Sequence, residues 1–496
     1  MKKYLVCFLA MGLFFTSCNN NDDSLDPGEQ PDPDEQANVV VQDFMWKAMN
    51  FWYFWQADVP NLSDTKFSTD AEYTTFLESE EDPAVFFDEK LSFTEDRFSF
   101  YNSDYKILTQ RSSGISTTNG LEFGLVRFGD SDDVFGFVRY ILPNSDASTK
   151  DIKRGDIFTG VNGQTLFSDR NNTSNNNLDL LFDDAATYTL NMATLENNTI
   201  TPSDREVELT KQENFAENPV FIDKVFEIQG ETIGYLMYNG FTNEYDEDLN
   251  AAFGRFVDGG VTNLVLDLRY NGGGSVNSSR LLASMIYGTN TSDLYIKQRW
   301  NSKVQAQLSQ EQLEDYFAET TGAGSAINTL NLSKVYVLAT NSSASASELV
   351  MNGLAPYMDV VHIGETTRGK NEFSIPMVDD RENTYIYNRD REANINSENS
   401  WAIQPLVGRN ENADGFFEYT AGLSPDIEID ETLENLGVLG DADERMLARA
   451  ISLITGSTNR FDFTAQMPIE TFEDSKMMSP VKNKAILDKP LLVNFE

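Results

Sequence analysis

The chain has 496 residues, with 79 acidic against 37 basic side chains and a formal net charge of −42, a balance that excludes nucleic acid and an anionic membrane surface as electrostatic partners. Aromatic residues at 12% and hydrophobic residues at 40% are too plentiful for wholesale disorder, and the length allows several domains with at least one large core. A single histidine, His362, and two cysteines exclude zinc sites built from His and Cys, and any Ser-His-Asp triad that does without His362.

The first residues, MKKYLVCFLAMGLFFTSC, join the basic pair Lys2 and Lys3 to an apolar run too short to favour a membrane span, then pass through small residues to Cys18. This resembles the signal of a bacterial lipoprotein. The resemblance implies that residues 1–17 are removed, that Cys18 is lipidated, and that the protein is attached to an outer-membrane leaflet, facing either the periplasm or the cell exterior. With Cys7 removed and Cys18 acylated, no disulfide can form within the mature chain. Residues 18–37 are acidic and almost without apolar side chains, and read as a solvated tether.

Residues 38–110 are predicted to form a helical N-terminal domain. Phe44, Trp46, Phe51, Trp52, Phe54 and Trp55 crowd a few turns before Pro60, a density that suits a helix buried on most sides. Further helical pieces are expected at Ala71–Leu77 and Ala84–Leu91. Residues 111–210 change character: the short alternating runs FGLVRF and VFGFVRYIL and the turn-rich KRGDIFTGVNGQTL predict strands joined by tight turns. This segment resembles a PDZ domain. The resemblance puts a carboxylate loop at Leu121, Phe123, Gly124 and Leu125, where an extended peptide would add as a strand and its terminus would meet backbone N–H groups.

Residues 211–456 read as α/β. Strands are expected at Ile233–Tyr238, Leu264–Arg269, Val335–Thr340 and Val360–Ile363, because continuous apolar runs such as LVLDL and VYVLA suit an interior parallel sheet. Helices are expected at Glu247–Phe256, Ser278–Ile286 and Ser347–Tyr357, with one more in DERMLARAISLITG, which opens on acidic residues and stops at Gly456. His362 falls inside a strand and is expected to be a core residue. Residues 457–496 form a C-terminal extension of unread role.

A serine nucleophile in such a chain needs a base other than histidine, and lysine is the precedent. In NSSASASELVMNGLAPY, residues 341–357, four serines stand where a strand turns into a helix. An oxygen presented there lies beside helix-start N–H groups that stabilise developing negative charge, although a plain Ser-rich helix cap would look the same. The run from Gly364 to Lys370 fits G-x-x-x-x-G-K, but Asn371 stands where a magnesium-holding Ser or Thr belongs and EFSIPMV reads as a strand, so no nucleotide is expected.

SSASASEL, the later GETTRGK, DLRYNGGG at 267–274, and the late YTAGLSPD and GDADERML segments are together similar to the C-terminal processing (tail-specific) serine peptidases of family S41. The resemblance covers nearly all of the mature chain. It implies a multidomain α+β protein with a helical N-terminal domain, a PDZ-like domain and a ClpP/crotonase-like α/β peptidase core. It implies Ser345 as nucleophile, Lys370 as general base, and backbone N–H groups of Ala346 and Gly274 as the oxyanion hole. It further implies cleavage of extended polypeptides, guided by their C-termini, with no cofactor. The position where the family carries a glutamine, four residues after the lysine, is here Ser374. The alternative left open is a peptide-binding or scaffold lipoprotein that keeps the fold without the chemistry.

Overall fold

The computed structural model describes residues 38–457 other than residue 173, residues 469–476 and 484–489, and residues 491 and 493. The signal segment, Cys18 and the tether at 18–37 lie outside the described residues. The described residues from Val39 onward form one compact unit, of mixed helix and strand.

The aromatic N-terminal stretch is the helix Val40–Trp52, followed by single 3-10 turns at Gln56–Asp58 and Pro60–Leu62. Phe44, Met45, Met49 and Trp52 are buried, and they share one apolar cluster with Leu266, Leu281, Val337 and Leu349 of the α/β region. The N-terminal helical segment therefore completes the core of the α/β region instead of standing apart with a core of its own. Trp52 Nε1 also donates to the carbonyl of Thr384 at 2.8 Å. The expected Ala84–Leu91 helix is a short turn, Pro83–Val85, running into a π-helical turn, Phe86–Leu91.

Residues 121–210 build an antiparallel sheet from Leu121–Arg127, Val134–Ile141, Ile157–Val161, Thr187–Glu196 and Thr199–Thr210. Its core, including Phe123, Leu125, Val138 and Phe158, is separate from the large cluster. The α/β region has a six-stranded sheet in the order Val220–Ile228, Glu231–Tyr238, Asn263–Asp267, Lys334–Ala339, Asp359–Gly364, Ile427–Glu428. All of its pairings are parallel except the first, as continuous apolar strands covered on both faces require. Helices Asp246–Asp258, Val276–Ile286, Ala346–Leu354 and Arg445–Thr455 lie within two or three residues of the predicted ones.

A second six-stranded sheet runs Gly273–Ser275, Lys484–Ile486, Glu372–Ser374, Leu406–Glu411, Leu294–Trp300, Glu314–Tyr316. One of its strands thus comes from the C-terminal extension. Another piece of that extension, Thr471–Asp474, pairs antiparallel with Leu121–Arg127 and lies at the edge of the first sheet.

Candidate active site

The strand Lys334–Ala339 ends in a turn whose hydroxyls are nearly all committed. Thr340 Oγ1 donates to the carbonyl of Arg269 at 2.5 Å, Ser343 Oγ to that of Leu268 at 2.8 Å, and Ser347 Oγ to that of Asn271 at 2.8 Å. Ser342 Oγ accepts from the Arg139 guanidinium at 2.9 Å. Ser345 Oγ is buried with no hydrogen-bond partner among the described residues. Three of the four serines therefore clamp the turn to residues 268–271 or to Arg139, and one hydroxyl is left over.

Ser345 has φ +61° and ψ −110°, a backbone that costs a non-glycine residue on the order of 1–3 kcal/mol and persists only where the surroundings impose it. Glu348 imposes it. One carboxylate oxygen of Glu348 takes the N–H of Ser345 at 2.7 Å and the N–H of Lys370 at 2.9 Å, and the other takes Thr367 Oγ1 at 2.6 Å and the N–H of Gly369 at 2.7 Å. A single buried side chain thus fastens the start of the helix to the segment that carries Lys370. Burial pushes the Glu348 carboxyl up, opposed by these four donors.

Lys370 is buried, and its Nζ has no hydrogen-bond partner among the described residues. The nitrogen sits 5.2 Å from the centre of the Phe98 ring. Desolvation brings its pKa down to about 7, against the opposing charges of Glu372, Asp96 and Glu348 and with help from Arg97. Glu372 is the foremost of those opposing charges, yet burial outweighs it, and its Oε1 lies 3.4 Å from Arg409. The N-terminal segment supplies much of this wall: Asp96 accepts from Tyr53 at 2.7 Å, and Arg97 donates to the carbonyl of Gly369 at 2.7 Å. Gly369 has φ +81°, and a Cβ there would come within 2.3 Å of the Thr420 carbonyl, so the close approach of the YTAG segment to this turn requires glycine. Ser374 accepts from Gln404 Nε2 at 2.9 Å, so a glutamine does reach this residue, from Ala402–Gln404, a strand of a different sheet.

Ala346 is the first residue of its helix, a position whose N–H has no partner within the helix. Gly274 lies in Gly273–Ser275 with φ +138°, and a Cβ would meet the Phe241 carbonyl at 2.1 Å. Its lack of a side chain is required by that backbone crossing. Leu121, Phe123 and Leu125 are buried, and the edge of their strand, which the sequence left open for a peptide, is already paired to Thr471–Asp474. His362 is buried in Asp359–Gly364, with its pKa lowered mainly by desolvation. The Asp and Arg of the DLRYNGGG stretch are structural. Arg269, fully buried, meets Asp267 at 2.9 Å, Glu444 at 2.8 Å and Glu431 at 3.2 Å.

Residues 232–429 match the family model of peptidase family S41, and residues 40–100 match that of the peptidase S41 N-terminal domain. A crystal structure designated an S41 protease, from Bacteroides fragilis NCTC 9343, aligns over 84% of this chain and 97% of its own, at 26% identity and a TM-score of 0.61. A photosystem II D1 C-terminal processing protease aligns over 83% and 98%, at 19% identity and a TM-score of 0.45. No curated protein matches the chain.

Proposed function

We propose, for a chain that belongs to peptidase family S41 through its core and its N-terminal domain, that it is a serine endopeptidase working with a Ser345–Lys370 dyad on extended or unfolded polypeptides. The observation that carries this reading is the pair of orphaned buried atoms, Ser345 Oγ and Lys370 Nζ, on two segments pinned to one carboxylate oxygen. In the mechanism it supports, neutral Lys370 takes the proton of Ser345 as Oγ attacks the scissile carbonyl. Backbone N–H groups at the helix start, Ala346 first among them, receive the oxyanion. The lysine ammonium then returns its proton to the leaving amine, and water, deprotonated by the same lysine, releases the acyl group.

A serine-reactive phosphonate should label the wild type and spare Ser345→Ala, and Lys370→Ala should fold yet lose turnover. Equal labelling of wild type and Ser345→Ala would remove Ser345 from the mechanism and leave the noncatalytic scaffold standing. The PDZ-like segment is read as a receptor for substrate C-termini through Phe123 and Gly124; equal kcat/KM for matched free-acid and amidated peptides would reject that role. Cys18 is read as the lipid anchor to the outer membrane, and Cys18→Ala should be released from the membrane fraction.

A further inference from the structure

The two parts of the C-terminal extension that pair with the rest of the chain do so at the strand read as the peptide edge and at the strands that border the glycine-rich turn and follow Lys370. Thr471–Asp474 runs antiparallel to Leu121–Arg127, with Asp474 opposite Gly124, and the N–H of Ser475 donates to the carbonyl of Phe123 at 3.0 Å. Its C-terminal end therefore points toward the loop read as the carboxylate receptor. Lys484–Ile486 fills a gap one strand wide: Gly273–Ser275 pairs with it on one side, and Ser374 pairs with Ile486 on the other. The first border is the end of the glycine-rich turn and the second lies four residues after Lys370. A cavity of about 170 Å³, lined by Phe123, Gly272, Gly273, Ser475 and Lys476 among others, lies between the end of the loop strand and the glycine turn.

Resting on the peptidase reading above, we propose that residues 469–476 and 484–489 are a built-in pseudo-substrate, the first occupying the peptide edge and the second the strand-wide cleft of their own chain until an extended polypeptide displaces them.

The fastenings suit a removable occupant. Strand pairing supplies main-chain hydrogen bonds that any extended peptide could replace, including the Leu487 N–H to the carbonyl of Ser374 at 3.0 Å. The side-chain contacts are mostly polar. Asp474 pairs with Arg139 at 3.1 Å, Lys476 donates to the carbonyl of Asn239 at 3.1 Å, and Asp488 accepts the Ser275 hydroxyl at 2.6 Å. Leu487, 5% exposed in the large cluster, is the most buried apolar anchor, and the partly buried Phe472 and Ile469 pack on two smaller clusters. Arg139 touches both Asp474 and Ser342, three residues before Ser345, so the turn that carries the nucleophile shares a contact with the tail.

The test uses full-length chains carrying Leu487→Asp or Asp488→Ala. Both should turn over an extended peptide at least tenfold faster than wild type, because the apparent substrate affinity is reduced by the fraction of chains whose site is open. A fluorescent synthetic peptide of residues 469–489 should bind the variants at least tenfold more tightly than the wild type and inhibit them competitively. Folded variants that neither bind the peptide better nor turn over faster would overturn the proposal, as would loss of the folded state in both, since a removable occupant is dispensable for the fold. Peptide binding without phosphonate labelling of Ser345 in any chain would reject the peptidase reading and keep the tail as occupant.

Discussion

Replacing Lys370 by methionine should stabilise the protein at neutral and acid pH, with the gain fading in alkali. The wild-type lysine goes from 10.5 when exposed to about 7 in the folded chain, and at 1.36 kcal/mol per unit that is about 5 kcal/mol lost on folding. The sign follows from proton counts. Between pH 7 and 10.5 the unfolded chain binds the proton and the folded chain does not, so wild-type stability rises with pH across that window. Below pH 7 the penalty is complete, and above 10.5 it is gone. Methionine fills a similar volume and has no proton to bind. At about 2.1 cal/mol/K of unfolding entropy per residue, a unit of this length shifts by about 1 °C per kcal/mol. The variant should therefore melt about 5 °C above wild type at pH 6.5, with the difference approaching zero by pH 10.5. Thermal unfolding of both chains across that range is the assay. A difference that does not change with pH, or that grows in alkali, would refute the claim that burial discharges Lys370.

The peptidase rate should rise with pH through an apparent pKa of about 7, the value of the buried lysine, and stay flat to pH 9; a midpoint near 10 in kcat/KM would mean a hydrated lysine. Glu348→Gln turns an amide NH₂ toward donors that now meet a carboxylate, and at about 1.5–3 kcal/mol per charged hydrogen bond it should slow phosphonate labelling of Ser345 at least tenfold. Arg269→Met leaves Asp267 and Glu444 facing each other without their cation, so denaturant unfolding should show a loss of about 3–5 kcal/mol. EDTA should leave turnover unchanged, and a rate restored by one added metal would contradict the dyad.

The parallel core was legible because LVLDL and VYVLA are unbroken apolar runs, and the strand-turn-helix around Ser345 was legible because small residues mark the turn. Leu294–Trp300 and Leu406–Glu411 were missed: their buried positions include the polar Gln298, Asn410 and Glu411, which break the two-residue alternation. Only the family resemblance singled out Ser345 among the four serines; local patterning could not, since the others are spent on carbonyls of residues 268–271 and on Arg139, some seventy to two hundred positions upstream. Glu348 left a signal that went unused: Ser345-x-x-Glu348 has the spacing of a capping box. The tail strands are three and four residues long, too short for any periodicity, and only the partner edges give them meaning.

The wall around Lys370 comes from residues 96–98, the residue itself lies more than 270 positions later, and Glu348 ties it to a third segment. Contacts of such long range form late as a chain acquires its structure. Until they form, the lysine is hydrated and keeps its proton, and in the proposed mechanism the serine then has no base to receive its own. On the dyad proposed above, a half-finished copy of this protein is thus chemically silent, and the newly made molecule would not cut itself or its unfinished neighbours while it is most vulnerable to being cut.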